Sequence, residues 1–154
     1  MLHIILVIVN LFLAGLLAGE EFVIFYGVRP SLPVLPEKPH IQLRQSLIRR
    51  LRILVPSIYM PTLLTGVAIL IMNVGPGFGL RFAGVLALLV WICITLFGTV
   101  PINKSMLDWR PEALPSHWQS VISRWVRLDR IRSWAAVMAF AFFLIAVAMQ
   151  LAGT

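Results

Sequence analysis

Charge is scarce in this chain. Six of its 154 residues are acidic and thirteen are Lys or Arg, so 12% are charged against 60% hydrophobic. A soluble domain carries roughly twice that share of charge. A water-facing globule is therefore excluded, and an integral membrane protein folded as one all-α bundle is expected. Cysteine is almost missing as well. Cys93 alone cannot form an internal disulfide, and within its apolar run it reads as a small buried hydrophobe. No HxxxH or CxxC spacing occurs, so a metal site would have to be assembled entirely by the fold, and none is expected. There is no GxSxG, no Gly-rich phosphate loop of the GxxxxGK type and no Cys/His nucleophile pair, so hydrolase and nucleotide chemistry lack support. The N-terminus has no basic n-region, only His3, and its apolar run outlasts an h-region. It is expected to be a retained first span and not a signal peptide.

The cations that do occur are concentrated. Arg29, Lys38, Arg44, Arg49, Arg50 and Arg52 lie in one region, and Lys104, Arg110, Arg124, Arg127, Arg130 and Arg132 in another; Arg81 stands apart. This clustering makes the net charge of +7 a topology signal and not a nucleic-acid footprint. Both basic regions are expected in the cytoplasm and both termini outside, in a bacterial inner membrane.

Apolar runs of spanning length fall at about 2–26, 53–74, 80–100 and 131–152. The regions 27–52 and 101–130 between them are expected to be cytoplasmic, each a proline-rich loop followed by a basic amphipathic helix that feeds the next span. Pro30, Pro33, Pro36 and Pro39 mark the first loop, which covers 27–39, and Pro39 fits a first helical position. The second loop, 98–115, ends at Pro115, where Ser116 and Gln119 fit a capping box. Pro56 and Pro61 are expected to kink the second span, and Gly75-Pro76-Gly77 to make the turn into the third. The two halves share their order, and Gln45–Leu51 lines up with Gln119–Trp125. This suggests an internal αα-hairpin repeat about an axis along the membrane normal. The expected architecture is a four-helix membrane bundle with two spans lengthened by cytoplasmic amphipathic helices.

Within the first span, LLAGEEFVIF places Glu20 and Glu21 in an apolar setting. A carboxylate at that depth is costly, faces the protein interior or a wet cavity, and finds a partner. One reading is a proton-handling or metal-binding carboxylate site. The other is a structural ion pair with Arg49, Arg50 or Arg52 of the second helix. At least one of the two glutamates is expected within hydrogen-bonding reach of His40, an arginine of that helix, or Asn103. Gly15 and Gly19, with Ala14 and Ala18, form a small-residue ridge for close helix packing. His40 and His117 read first as polar cap or interface residues. Trp109, Trp118, Trp125 and Trp134 read either as an interfacial belt or as walls of a flat aromatic pocket.

The stretch GTVPINKSMLDWRPEALPSHWQSVISRWVRLDRIRSW resembles the membrane family named after anthrone oxygenase. The likeness rests on Pro101, Asn103, Trp109, Trp118, Trp125 and Arg132. AGEEFVIFYGVRP followed by HIQLRQSLIRRLR is similar to bacterial members of that family. One departure is Asp129, which stands where many members carry a histidine. A histidine titrates near neutral pH and suits abstraction of a phenolic proton, whereas an aspartate is a weaker base unless burial raises its pKa.

The resemblance implies a membrane-embedded oxidoreductase that oxygenates a hydrophobic phenolic or quinol-like substrate, with no familiar cofactor. Glu20, Glu21, His40 and Asn103 are then the catalytic candidates. Arg44, Arg49, Trp109, Trp118, Trp125 and Arg132 are the substrate-binding ones. The substrate is expected to enter from the lipid and lie near the ends of spans one and three, where Gly15, Gly19 and Gly98 leave room. One glutamate would act as base, an arginine of the second helix would stabilise the anion, and Asn103 would orient the ring oxygen. The contrasting expectation is a non-catalytic accessory or scaffold subunit. Its partners would be lipid and other membrane subunits or copies of the chain, recognised by a broad contact face and no cavity.

Overall fold

The computed structural model describes residues 1–72 and 75–152. Four rods of helix run through it, each long and apolar enough to cross a membrane. The first is α1 (Leu2–Phe22), continued by a π-helical stretch (Val23–Val28) and a 3-10 stretch (Arg29–Val34). The second is α2 (Glu37–Met72), unbroken through Pro56 and Pro61. The third is α3 (Phe78–Ile94), a second π-helical stretch (Thr95–Thr99) and α4 (Val100–Leu107). The fourth is α5 (Trp118–Ala152). The chain is thus an all-α, multi-pass membrane protein.

The loop expected at 27–39 is largely helical instead, and the one expected at 98–115 begins only after Leu107. Two prolines explain why the chain turns there without unwinding. Pro30 and Pro101 each sit in the first turn of the segment that follows a π stretch, where a missing N–H costs nothing. The repeat is visible in this detail: each half is a helix, a π-helical stretch, a proline-started segment and a rod of 36 or 35 residues. Helices of that length reach about 54 Å, well beyond a hydrocarbon core of about 30 Å. Their basic first turns therefore project past the spanning part. Pro39 falls within the first turn of α2, as its chemistry requires. Ser116 does not cap α5. The helix starts at Trp118, whose N–H bonds to the Pro115 carbonyl at 3.0 Å, while the Ser120 hydroxyl bonds to the His117 carbonyl at 2.8 Å. The expected end of the second span at 73–74 lies outside the described residues.

α3 packs along α5, and α1 packs along both α2 and α5, while α2 and α3 touch sparingly. The bundle is therefore closed on three seams and loose on the fourth. Its ends also differ. At the end that carries both termini, Phe143 of α5 wedges between glycines of two helices. A Cβ added to Gly84 would lie 2.7 Å from its ring, and one added to Gly66 would lie 3.1 Å from it. The Asn10 amide donates to the Thr62 carbonyl at 2.9 Å and the Thr65 hydroxyl at 3.0 Å, joining α1 to α2 in an otherwise apolar layer. The turn into α3 needs Gly77, whose φ of 82° is left-handed and whose Cβ would sit 2.9 Å from the Ala146 carbonyl.

At the other end, the basic end, a second apolar cluster forms from Ile41, Ile48, Ile102, Met106, Trp109 and Trp125. Gln45 ties it to α4 by donating to the carbonyls of Met106 and Trp109, each at 2.9 Å. The first turn of α2 and the connection before α5 meet in an exposed Lys38–Glu112 pair at 2.8 Å, and the hydrogen bond from Lys38 holds the Glu112 carboxyl below its usual range. Cys93, expected to be buried, is exposed on the outer face of α3. An apolar run gives no sign of which face meets lipid.

Candidate functional site

The loose seam widens into a cavity of about 290 Å³ between α2 and α3, toward the basic end. Both π-helical stretches border it, through Ile24 and Val28 on one side and Thr95, Leu96 and Thr99 on the other. A π turn displaces side chains from the α-helical phase, and such turns recur at functional sites. The walls are mostly aliphatic. Tyr59 and Trp91 border it as a stacked pair, centroids 4.6 Å apart and planes within 18°, each almost wholly buried. The Tyr59 hydroxyl is fully used, donating to the Leu88 carbonyl at 3.0 Å, so the ring is fixed. Trp125 stands across the basic end of the cavity, its indole N–H donating to Asn103 Oδ1 at 2.8 Å.

Three guanidinium groups withdrawn from bulk water border this space: Arg29, Arg44 and Arg132. Two of them belong to a buried ionic network. Arg132 Nε lies 3.1 Å from Glu21 Oε1, and Arg132 Nη2 donates to Asp129 Oδ1 at 3.0 Å. Arg29 reaches the other oxygen of Asp129 at 3.6 Å. Glu21 has further donors: Trp91 Nε1 at 2.9 Å and the Ser133 hydroxyl at 3.0 Å. Glu21 and Asp129 are both fully buried. Each carboxylate fixes its neighbours, because losing a partner would strand a charge in a low-dielectric interior.

The sequence-selected residues divide sharply. Asn103, Arg44, Trp125 and Arg132 line the cavity. Glu20, Glu21, His40, Arg49, Trp109 and Trp118 do not. Glu21 pairs with Arg132 of α5, so the expected partners from α2 or Asn103 are corrected. Arg49 and Arg50, offered as its structural lock, are exposed on the outer face of α2. The reason is phase: Arg49 and Arg50 follow buried Ile48 and turn away from the bundle. Glu20, about 100° round the helix from Glu21, has neither carboxylate oxygen hydrogen-bonded. His40 sits edge-on to Trp118, with ring centroids 6.1 Å apart, and its Nε2 is buried without a hydrogen bond. Trp109 and Trp118 belong to the apolar cluster of the basic end. Trp134 is exposed on the outside of α5, compatible with a belt position.

The glycines expected to leave room for a ring do not border the cavity. Gly15 packs on Phe140, and a Cβ on Gly98 would meet Leu128 at 2.9 Å. Trp91, Tyr59, Arg29 and Ser133 were missed as site residues. Trp91 carried the clearest signal, since tryptophan gathers at interfaces and this one lies well inside a span. Among the described residues, no group of three or more His, Cys, Asp or Glu side chains converges as a metal would need.

Fold and site together define a multi-pass helical membrane protein with an apolar, arginine-bordered cavity on one seam. The anthrone oxygenase family model matches residues 46–142, from within α2 through most of α5, and the chain belongs to that family. Comparisons with curated proteins and with solved structures found no match.

Proposed function

We propose that the α2–α3 cavity binds a flat, hydrophobic phenol or quinol-like molecule entering from the lipid, and that the protein promotes its oxidation by dioxygen. The observation that carries this reading is the cavity itself, with the Tyr59–Trp91 stack on its wall and guanidinium groups at its border. A cation within about 4–6 Å favours the ionised form of a phenol or enol by roughly 1–3 pKa units. Arg44, which lines the cavity and makes no contact ion pair, supplies that cation, while Arg132 is already matched by Glu21 and Asp129 and holds the cavity border in place. The proton passes to water. The electron-rich anion then reacts with dioxygen. For an anthrone-type methylene the balance is CH2 plus O2 giving C=O plus H2O, so dioxygen takes all four electrons and no further reductant is needed.

Neither glutamate touches the cavity, so this reading gives Glu21 a positioning role through Arg132 in place of the general-base role. Asn103 fixes Trp125 through its side-chain oxygen. The same reading puts the basic end in the cytoplasm and both termini on the other side of a bacterial inner membrane, on the strength of the positive-inside rule.

The test is oxygen uptake and quinone absorbance with purified protein in lipid nanodiscs, supplied with an anthrone. Turnover above the uncatalysed rate, reduced by Leu96→Trp at the cavity mouth, is the expected result. Turnover equal to the no-protein control would remove the enzymatic reading. Binding without turnover would favour the accessory-subunit alternative.

A further inference from the structure

Arg44 is the anomaly among the cavity cations. Its side chain is buried, with 5% exposure, and its guanidinium stacks 4.8 Å above the Trp125 ring. Its Nε has no hydrogen-bond partner, and among the described residues no carboxylate forms an ion pair with it. Arg29 and Arg132 share Asp129, and Arg132 also holds Glu21. Arg52, also on the cavity wall, is exposed to water and needs no counter-charge. Of the three guanidinium groups Arg29, Arg44 and Arg132, Arg44 alone makes no contact ion pair among the described residues; Asp129 acts on it only at longer range. Glu20 neither lines the cavity nor forms an ion pair with Arg44. A buried guanidinium without a contact counter-ion is disfavoured. The Trp125 ring offsets this only in part through cation–π attraction.

We infer that Arg44 is an acid-binding subsite, and that the cavity takes an amphipathic monoanion: a flat apolar body carrying one oxyanion seated on Arg44. This rests on the cavity-binding reading above and narrows its ligand class. The geometry favours a planar acid group, because a guanidinium presents a fixed fork of donors that matches a carboxylate. Trp125 is locked by Asn103, so the fork is held on a rigid shelf. The aliphatic walls and the Tyr59–Trp91 pair then accommodate the apolar body. The anion has two sources, since the seam also meets lipid: a free aromatic acid, or the phosphate of an anionic phospholipid.

The experiment uses the full chain in phosphatidylcholine nanodiscs and follows quenching of tryptophan fluorescence by two probes, anthracene-2-carboxylate and its neutral carboxamide. The expected result is carboxylate binding about tenfold or more tighter than carboxamide, a factor worth about 1.4 kcal/mol. Arg44→Gln should abolish the preference of carboxylate over carboxamide, and Arg44→Lys should retain part of it. Equal binding of both probes to the wild type overturns the acid subsite and leaves the cavity reading intact. Binding of neither overturns both. Full preference retained in Arg44→Gln also overturns the assignment. If that variant does not fold, the wild-type probe pair and Arg44→Lys decide. Repeating the titration in nanodiscs containing phosphatidylglycerol identifies the source. Weaker carboxylate binding there assigns the site to a lipid phosphate, and unchanged binding assigns it to a free amphiphilic acid.

Discussion

Trp91 donates its indole N–H to Glu21 at 2.9 Å while its ring face stacks on Tyr59. One side chain thus joins the buried ionic network to the cavity wall. Movement of Arg132 or Glu21 is transmitted to the aromatic pair beside which a flat ligand would rest.

The Glu21–Arg132 pair should show strong coupling. Arg132→Met leaves Glu21 buried without a cation and should cost roughly 3–5 kcal/mol; Glu21→Gln leaves Arg132 paired with Asp129 and should cost less. The double variant should lose clearly less than the sum. Unfolding in detergent, followed by circular dichroism, supplies the four corners of the cycle. Additive losses would show that the two charges are not coupled.

Tyr59→Phe and Trp91→Leu should separate structure from binding. The first removes only the hydroxyl bond to Leu88, at a cost of about 1 kcal/mol in stability, and keeps the stack. Aromatic probe affinity should hold. The second removes ring and donor together, and affinity should fall by several-fold to about tenfold, in line with about 0.5–1.5 kcal/mol for an aromatic pair. Probe titration with both variants checks this, and equal affinities would exclude the stack from the binding face.

Gly84→Ala should destabilise by about 1–3 kcal/mol through overpacking against Phe143. Phe143→Leu in the same chain should restore part of the loss. A Cβ added to Gly19 would have nothing within 4 Å, so Gly19→Ala should be stabilising by up to about 1 kcal/mol through helix propensity. Thermal midpoints of these variants distinguish a packing effect from a general intolerance of alanine.

Orientation is open to labelling. In a Cys93→Ser background, Ser116→Cys at the basic end should react with an impermeant maleimide only after cells are opened. Gly79→Cys, near the opposite end, should react in intact cells. The reverse pattern would invert the assignment.

Much of the architecture was readable because its causes are local. Four apolar runs require four helices, since lipid offers no partners for backbone groups. The clustered arginines mark one end. The helical continuation through 101–107 was hidden because Pro101 usually signals a break, and only its first-turn position makes it harmless. The site was half legible. Arg44, Asn103, Trp125 and Arg132 stood out by type and by family likeness. The partner of Glu21 did not, because it lies 111 residues further along the chain. Picking it from the other arginines requires knowing which seam closes. Nor did the sequence separate Glu20 from Glu21. Adjacent carboxylates differ only in helical phase, and phase becomes meaningful once the neighbours are in place.

The loose α2–α3 seam has a geometric consequence of its own. A bundle closed along three lines of contact and bridged on the fourth at Tyr59, by its stack on Trp91 and its bond to Leu88, leaves a narrow slot beside that bridge, and a slot sorts by thickness. On the cavity-binding reading a fused-ring molecule would slide in edge-first between the two helices. A sterol or a branched acyl chain of similar mass presents a thicker edge and would be turned away before any polar group is consulted. Discrimination between planar and puckered molecules would then be carried by helix spacing, so substitutions that enlarge residues on the lips of the slot should shift the admitted thickness and leave preference among planar molecules of one thickness largely as it was.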